Sequence, residues 1–322
     1  MSRQPRTGIS FPLQGEKLAT QASFVSELES LGYSDVWTSE AQDLDGFVPL
    51  ALASQWAPTL RLGVAILPVQ TRGPAVLAMS AAALAEAAPG RCAIGLGSSS
   101  EYIVSLQNAR PFAKPFAQTR DTVRFLRAAL NGGEASREYE TFAVRGFKLR
   151  RRVEVPPPIL VAALREGMLE MAGREADGAI LNYVTPEDVA RSAPFVRKYG
   201  DGKEIAARIY VSPTRDAETV RKVARYSLAP YLSVPTYRMH QEWLGNERYY
   251  AEMWRRWGEG DVKGARAALS DEACDRLYIH GTPDQCRARI QEYFDAGLDT
   301  AIIGLVEEAL DPREAVRVLA PE

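Results

Sequence analysis

Three consecutive serines follow a short apolar run in the segment RCAIGLGSSSE, residues 91–101. The run predicts a buried strand, in which Gly95 and Gly97 would let a ligand or a second backbone come close. Ser98–Ser100 add hydroxyl donors beside backbone amides, and the following EYIVSLQN predicts a helix with Ser100 as its N-cap. Phosphates bind where free amides, hydroxyls and the positive end of a helix dipole meet. The segment therefore predicts an oxyanion cradle, with an ordinary Gly/Ser loop as the alternative.

Composition limits the classes of protein that could carry this segment. The chain has 322 residues, of which 46% are hydrophobic, enough for one large core, and α/β barrels commonly reach this length as one domain. A net charge of -2 and a pI of about 5.9 give no basic surface for nucleic acid. There is no apolar run of about 18 residues, and the start MSRQPRTGIS lacks the apolar segment of a signal peptide. We expect a cytoplasmic protein with neither nucleic-acid nor membrane partners.

Cysteine and histidine are scarce in this chain. The three cysteines, Cys92, Cys274 and Cys286, are odd in number and lack metal-binding spacing, which favours free or buried thiols over disulfides. With His240 and His280 as the two histidines, a histidine-rich metal site is not expected.

Short apolar runs alternate with amphipathic segments along the whole chain. Eight predicted strands are TGISFP, SDVWTSE, LRLGVAIL, RCAIGLG, PPILVAAL, DGAILN, AARIYVSP and TAIIGLV. Residues 131–157 are polar and hairpin-like, and residues 236–274 predict a helical insertion before the last strand, whose aromatic residues at helical spacing indicate a packing face. Parallel strands need helical crossovers, so the pattern predicts one (β/α)8 TIM barrel over residues 1–322. A doubly wound sheet is the alternative, although no GxGxxG follows the first strand.

Active sites of such barrels lie at the carboxyl ends of the strands. This rule brings Glu40, Pro68–Thr71, Ser98–Glu101, Leu164–Gly167 and Asn182 to one mouth. We expect the serine loop to share that mouth with a carboxylate and an amide side chain.

Four segments carry a resemblance to a known family. They are RCAIGLGSSSEYIV, KPFAQTRDTVRFLRAAL, PPILVAALREGMLEMAGREADGAILN and HGTPDQCRARIQEYFDAGLDTAIIGL. In their order and spacing they resemble the luciferase-like monooxygenase superfamily, and more narrowly its branch of oxidoreductases dependent on the deazaflavin coenzyme F-420. The resemblance implies a barrel of the bacterial luciferase type, a deazaflavin or flavin across its mouth, and hydride transfer to or from a small organic substrate.

The resemblance also assigns cofactor-binding residues. Gly97, Ser98, Ser99 and Ser100 match the loop that holds the cofactor phosphate in the family. A second loop, which closes on the cofactor, is matched by Ala162 and Ala163 together with Arg165, Gly167 and Met168. Gly167 would let backbone approach the ligand, and Arg165 could pair with the phosphate or with the polyglutamate tail of the coenzyme. The alternative for the second loop is a plain strand-to-helix turn.

The end of the second strand departs from the family pattern. Several relatives have an acidic residue followed by histidine there, whereas this chain has Glu40 followed by Ala41. Histidine chemistry at this position is thereby excluded, and Glu40 is the candidate for a hydrogen bond to the cofactor ring or a proton relay. Asp43, Asp45 and Glu101 compete for that role, and any of these could be a plain surface carboxylate. Asn182 is expected to touch the cofactor, and Trp37 to fill the core.

The resemblance further implies a cis peptide bond between Ala65 and Ile66 in LRLGVAILPV, where relatives carry one that supports the back of the cofactor ring. In proteins generally, an ordinary trans bond is the rule for non-proline residues.

Three functions remain open on the sequence. The resemblance favours hydride transfer with coenzyme F-420, while an FMN-dependent monooxygenase would present a phosphate to the same loops. A non-redox barrel that binds a phosphorylated ligand is the third. For the first two we expect a small-molecule substrate, and we expect a homodimer.

Overall fold

The computed structural model describes residues 4–41 and 43–321. Nine strands form one sheet in which every strand pairing is parallel. Their bounds are β1 Arg6–Ser10, β2 Asp35–Thr38, β3 Arg61–Pro68, β4 Cys92–Gly97, β5 Ile159–Ala162, β6 Gly178–Asn182, β7 Glu204–Ser212, β8 Tyr278–His280 and β9 Thr300–Leu305. Strands β1–β7 and β9 close into an eight-stranded barrel, as the alternating sequence pattern predicts.

Helices cover the outside of the barrel and connect its strands. Their bounds are α1 Ala22–Ser30, α2 Val48–Trp56, α3 Pro74–Ala87, α4 Pro115–Leu130, α5 Glu166–Glu175, α6 Pro186–Arg197, α7 Ala217–Ser233, α8 Pro235–Trp243, α9 Glu247–Gly258, α10 Val262–Ala268, α11 Asp271–Asp275, α12 Pro283–Asp295 and α13 Pro312–Val318. A 3-10 turn occupies Leu18–Thr20 and a π-helix occupies Tyr102–Gln107. Local sequence sets several starts. Thr185 caps α6 in a capping box with Asp188, followed by Pro186 at the first turn.

The predicted helical insertion consists of α8–α11, and it lies before the last strand as expected. The segment after it contains a strand that the sequence pattern does not predict. This strand, β8, pairs with the upper half of β7 from Tyr210 to Ser212, beyond the point where β6 ends opposite Arg208. Three residues are too few to show a period in the sequence, and β8 is held by a strand distant along the chain.

Side chains inside the barrel form layers along its axis. At the amino ends of the strands, Arg61 donates to the carboxylates of Asp35 and Glu204, with Nη2 2.8 Å from Asp35 Oδ2 and 2.7 Å from Glu204 Oε1. Arg6 is ion-paired with Asp35 at the same level. Above this layer lies an apolar one formed by Trp37, Ala93, Leu160, Ile180, Ala206 and Ile302.

Trp37 is the largest side chain of the apolar layer and is 1% exposed, which confirms its predicted place in the core. A Cβ on Gly63 would come within 2.2 Å of its ring, so glycine is required there. The three cysteines are free and buried, in agreement with the sequence expectation. In residues 4–41 and 43–321, no helix has the length and apolarity needed to cross a membrane. The same residues contain no cluster of His, Cys, Asp or Glu arranged to hold a metal ion.

Candidate functional site

Three of the predicted cofactor residues meet at the carboxyl ends of β3, β4 and β5. An added Cβ on Gly97 would lie 3.0 Å from both Ile66 Cδ1 and the Ala162 side chain, so these residues are in close contact. The peptide bond between Ala65 and Ile66 is cis, as predicted. The register between β3 and β4 shifts between Val64 and Leu67, and Ala65 and Ile66 both pack against the apolar layer. Successive residues of a regular strand point to opposite faces, so this irregularity turns Ile66 inward. Ile66, Gly97 and Ala162 form the apolar wall.

The serine loop leaves this wall directly. Ser99 has a left-handed backbone, with φ of 59°, and Ser98, Ser99 and Ser100 are all partly buried. Within the described chain, the amides of Ser99 and Ser100 donate to no other protein group. Consecutive amides around a left-handed residue form a concavity that suits an anion. The geometry is therefore compatible with the predicted oxyanion cradle.

The helix expected after the serines differs from the prediction. It is a π-helix of six residues that begins at Tyr102 with Glu101 as N-cap, and Ser100 Oγ accepts only a long bond from Ile103 N, at 3.4 Å. Sequence periodicity does not distinguish a short π-helix from an α-helix, because the difference lies in which carbonyl each amide reaches. A helix dipole therefore adds little at this loop.

The second predicted loop connects β5 to α5. Ala163 is buried and its amide donates to Ile180 O at 3.1 Å, while Met168 packs against the main core. Arg165 is the extended N-cap residue of α5, and its Nη1 lies 3.6 Å from the sulfur of Met239 in α8. An added Cβ on Gly167 would meet nothing within 4 Å. Arg165 is partly exposed and Gly167 is exposed, and their contact with a cofactor stays a prediction.

Glu40 does not have a free carboxylate. Arg72 Nε donates to Glu40 Oε1 at 2.9 Å, and the amide of Gly46 donates to Oε2 at 3.0 Å. Arg72 is also ion-paired with Asp45, whose carboxylate accepts from the amides of Phe47 and Val48 at the start of α2. Glu40 is therefore an ion-paired side chain at the mouth, and its catalytic role stays a prediction.

The charges around Arg72 reinforce one another. The hydrogen bond and charge of Glu40 raise the pKa of the Arg72 guanidinium despite its partial burial. Burial alone would raise the pKa of Asp45, but the amides of Val48 and Phe47 together with Arg72 outweigh it and lower that pKa. These residues border a pocket of about 350 Å³, which also includes Asp43, Thr71, Ile103 and Asn108. The pocket thus lies between the ion pair and the π-helix that follows the serine loop.

Asn182 connects the barrel to the insertion. Its Nδ2 donates to the hydroxyl of Tyr237 in α8 at 3.1 Å, and its Oδ1 accepts from the amide of Tyr183 at the same distance. Both ends of the amide are engaged in the protein, so a contact with the cofactor would have to share these groups. That contact stays a prediction.

A second polar group lies at the mouth, on β7, and was not among the predicted site residues. Arg208 and Tyr210 of β7 follow Ala206 at every second residue, and Ala206 belongs to the apolar layer inside the barrel. The period of two places all three on the inner face. That period was present in AARIYVSP and could have identified Arg208 and Tyr210 as mouth residues.

The aromatic residues of the insertion form a packing face, as predicted. Tyr250 and Trp254 are buried in a cluster with helix α7, and Tyr249 and Trp257 pack against that cluster. His240 is fully buried beside Trp243, and neither of its ring nitrogens has a hydrogen-bond partner in the described chain.

The chain matches the family model described as luciferase-like monooxygenase over residues 4–300. It is 26% identical to 5,10-methylenetetrahydromethanopterin reductase from Methanolobus tindarius, over 92% of this chain and 93% of that protein. Its fold matches the coenzyme F-420 dependent tetrahydromethanopterin reductase of Methanopyrus kandleri with a TM-score of 0.82 at 21% identity, covering 99% and 98% of the two chains. The FMN-bound oxygenating component of 3,6-diketocamphane monooxygenase from Pseudomonas putida matches with a TM-score of 0.68 at 15% identity, covering 100% and 98%. The model match spans most of the chain, which therefore belongs to the luciferase-like monooxygenase family.

Proposed function

We propose that the protein is an oxidoreductase that transfers a hydride between the deazaflavin coenzyme F-420 and a small organic substrate. The observation that carries the proposal is the apolar wall of Ile66, Gly97 and Ala162 beside a loop with free amides at Ser99 and Ser100. A flat ring system needs an apolar surface, and a phosphate ester attached to it needs donors nearby. The two features adjoin at the carboxyl ends of β3, β4 and β5, where (β/α)8 enzymes carry out their chemistry.

Each part of the site has a physical role in this proposal. The Ser98–Ser100 loop would bind the coenzyme phosphate through its amides and hydroxyls, and the apolar wall would support one face of the ring. Any side chain larger than hydrogen at Gly97 would meet Ile66 and Ala162 at 3.0 Å and change the shape of that wall. When bound, a deazaflavin accepts or donates two electrons as a hydride at a ring carbon.

In this proposal Glu40 lies beside the cofactor ring at the mouth. Its carboxylate is already oriented by Arg72 and by the Gly46 amide. We assign it a hydrogen bond to the cofactor ring or a proton relay during turnover. In either role, a fixed carboxylate loses little orientational freedom in the reaction.

The reductase of the same fold that is named for coenzyme F-420 supports the deazaflavin, and the FMN-bound monooxygenase supports FMN as the second candidate. A side-by-side titration separates them: purified protein is mixed with oxidised coenzyme F-420 or with FMN, and the absorbance and fluorescence of each are followed to saturation. We expect saturable binding of coenzyme F-420 that is at least tenfold tighter than binding of FMN. Tighter FMN binding would transfer the assignment to an FMN monooxygenase, and binding of neither would indicate a non-redox barrel.

The variant Gly97→Val tests the apolar wall. Its branched side chain would push against Ile66 and Ala162, so we expect a strong loss of coenzyme affinity with a folded barrel. Gly258→Val is the control, because Gly258 lies at the exposed end of α9, outside the left-handed region, and an added Cβ there meets nothing within 4 Å. Unchanged coenzyme affinity in Gly97→Val would contradict the assignment of the wall.

A further inference from the structure

Besides Arg6 and Arg61 at the amino ends of the strands, the barrel contains an arginine near their carboxyl ends. Glu204, Ala206, Arg208 and Tyr210 occupy alternate positions of β7 and point into the barrel. Glu204 belongs to the charged layer and Ala206 to the apolar layer, so Arg208 lies one level higher, at the floor of the mouth. Arg208 pairs in register with Asn182, the last residue of β6. Its side chain is therefore at the depth where the strands open into loops.

Arg208 lies at the edge of a group of packed tyrosines. The guanidinium carbon lies 5.6 Å from the ring centre of Tyr210. Tyr210 is stacked between Tyr183 and Tyr278, with ring centres 5.2 Å and 4.8 Å away. Tyr231 and Tyr237 extend the group, each packed against Tyr183. On the adjacent strand β9, Gly304 leaves room for the arginine, since an added Cβ would lie 3.3 Å from Arg208 Nε. We call these five tyrosines the tyrosine cluster.

The tyrosine cluster does not neutralise the arginine. Burial raises the pKa of Tyr183, Tyr237 and Tyr278, so their hydroxyls remain protonated and uncharged at ordinary pH. Within residues 4–41 and 43–321, Arg208 has neither an ion pair nor a hydrogen-bond acceptor, and its Nε is buried without a partner. A guanidinium stays protonated in proteins, and leaving one of its buried donors without a partner is costly. The fold thus maintains an uncompensated positive charge at the floor of the mouth.

We propose that Arg208 binds a carboxylate group of the substrate, so that the proposed oxidoreductase acts on an organic acid. This inference rests on the proposed function, because it takes the protein to be an enzyme with an organic substrate. The anion site itself can be tested without the coenzyme. Arg208 remains partly exposed to the mouth, so a ligand can reach it. One guanidinium fork matches the two oxygens and the single charge of a carboxylate, whereas a phosphate dianion would leave one charge unbalanced. The aromatic rings beside it suit the carbon skeleton of such an acid.

The position also fits a substrate that spans the mouth. In the eight-stranded ring, β7 lies four strands from β3 by either route, so Arg208 is on the side opposite Ile66. An acid anchored at Arg208 would extend its carbon chain towards the apolar wall. The serine loop of β4 is three strands from β7, which separates the anion site from the proposed phosphate site.

The test uses benzoate as the probe and benzyl alcohol as its uncharged counterpart, each titrated by calorimetry into the full-length protein without coenzyme. We expect benzoate to bind the unaltered protein at least tenfold more tightly than benzyl alcohol. Arg208→Gln should lose this preference, and Arg208→Lys should keep part of it. Arg266→Gln is the matched control, because Arg266 also lies over a tyrosine, Tyr226, with a buried Nε that lacks a partner, but belongs to the insertion helix α10.

The outcomes separate the anion site from the proposed function. Equal binding of benzoate by the unaltered protein and Arg208→Gln, or no benzoate binding at all, would overturn the anion site. Benzoate binding that depends on Arg208 in a protein that binds no coenzyme F-420 would keep the site and reject the proposed function. A tenfold or greater loss of coenzyme F-420 affinity in Arg208→Gln would reassign Arg208 to the cofactor and overturn its role towards the substrate.

Discussion

Two arginines inside the same barrel have opposite surroundings. Arg61, at the amino ends of the strands, donates to two buried carboxylates, and Arg6 completes the charge balance with Asp35. Arg208, at the carboxyl ends, lies beside Tyr210 of the tyrosine cluster and has no ion pair among the described residues. The first arrangement is closed to ligands because its charges are satisfied. The second has an interaction left to make, which is the physical difference between the stable end of the barrel and its functional end.

Replacing Arg61 and replacing Arg208, each in a separate variant, should have unequal effects on stability. The effect at Arg61 is the largest that we expect. Arg61→Met would leave Asp35 and Glu204 buried without their shared partner and should cost about 3–5 kcal/mol in the free energy of unfolding. Arg208→Met removes an unpaired charge and should leave stability unchanged or raise it by about 1 kcal/mol. Urea unfolding followed by circular dichroism measures both. A loss of similar size in the two variants would mean that Arg208 has a structural partner after all.

The mouth also contains an ion pair, that of Glu40 with Arg72. Glu40→Gln tests whether this pair is only structural, like the ion pairs of Arg61, or takes part in the reaction. We expect a folded protein that binds coenzyme but loses about 100-fold in turnover, the usual contribution of general acid–base help. Asp45→Asn is the matched control, because it removes the other carboxylate partner of Arg72. If both variants lose the same rate, the effect acts through Arg72 and Glu40 is a positioning residue. If neither loses rate, the pair is purely structural.

Much of the barrel was predictable from the sequence, because each buried parallel strand is a continuous apolar run and each crossover helix has its own start and stop residues. The cap at Thr185 and the strand that precedes the serines are examples. Strand β8 and the π-helix after Glu101 were not predictable, since both are decided by which backbone groups meet in three dimensions. The cis bond at Ala65 followed from family resemblance, and no residue pattern indicates it.

The position of the candidate site could be predicted from the sequence, but the interaction partners of its residues could not. The strand-end rule brought Glu40, the serine loop and Asn182 to the mouth, yet the ion pair of Glu40 with Arg72 needs two loops that are 32 residues apart. Arg208 could have been placed on the inner face by the period of β7. That Arg208 lacks an ion-pair partner could not be predicted from the sequence, because the tyrosines near it come from five separate parts of the chain: β7, β8, α7, α8 and the residue after β6.

His240 can be compared with Arg208, because both have buried nitrogens without a hydrogen-bond partner. Unlike an arginine, a histidine can lose its charge. Burial, together with the nearby Arg165, lowers its pKa to about 3. Between pH 6.5 and 3 the unfolded chain therefore binds a proton that the folded protein does not, so this contribution to stability is lost as the pH falls. Going from pH 7.5 to 5 should cost about 2 kcal/mol through this residue.

The measurement is urea unfolding of the unaltered protein and of His240→Phe at pH 7.5 and pH 5. The phenylalanine variant keeps a ring beside Trp243 and should lose less stability on acidification, by the same amount. Parallel pH dependence in the two proteins would mean that His240 becomes protonated in the folded state. An arginine has no such escape at any pH in this range, which is why Arg208 and not His240 indicates a ligand.

The smallest effect we expect concerns the other unsatisfied donors of the mouth, those of the serine loop. If the amides of Ser99 and Ser100 provide most of the phosphate binding, removing one hydroxyl should matter modestly, because the backbone donors stay in place. Ser98→Ala should then weaken coenzyme F-420 binding about tenfold, or about 1.4 kcal/mol, with benzoate binding at Arg208 unchanged. Ser30→Ala, on the exposed end of α1, is the control and should bind like the unaltered protein. If Ser98→Ala weakens benzoate binding as much as coenzyme binding, the serine loop and Arg208 form one anion site. If only coenzyme binding is weakened, the mouth has two separate sites: a cofactor site built on backbone amides and a substrate site built on one arginine.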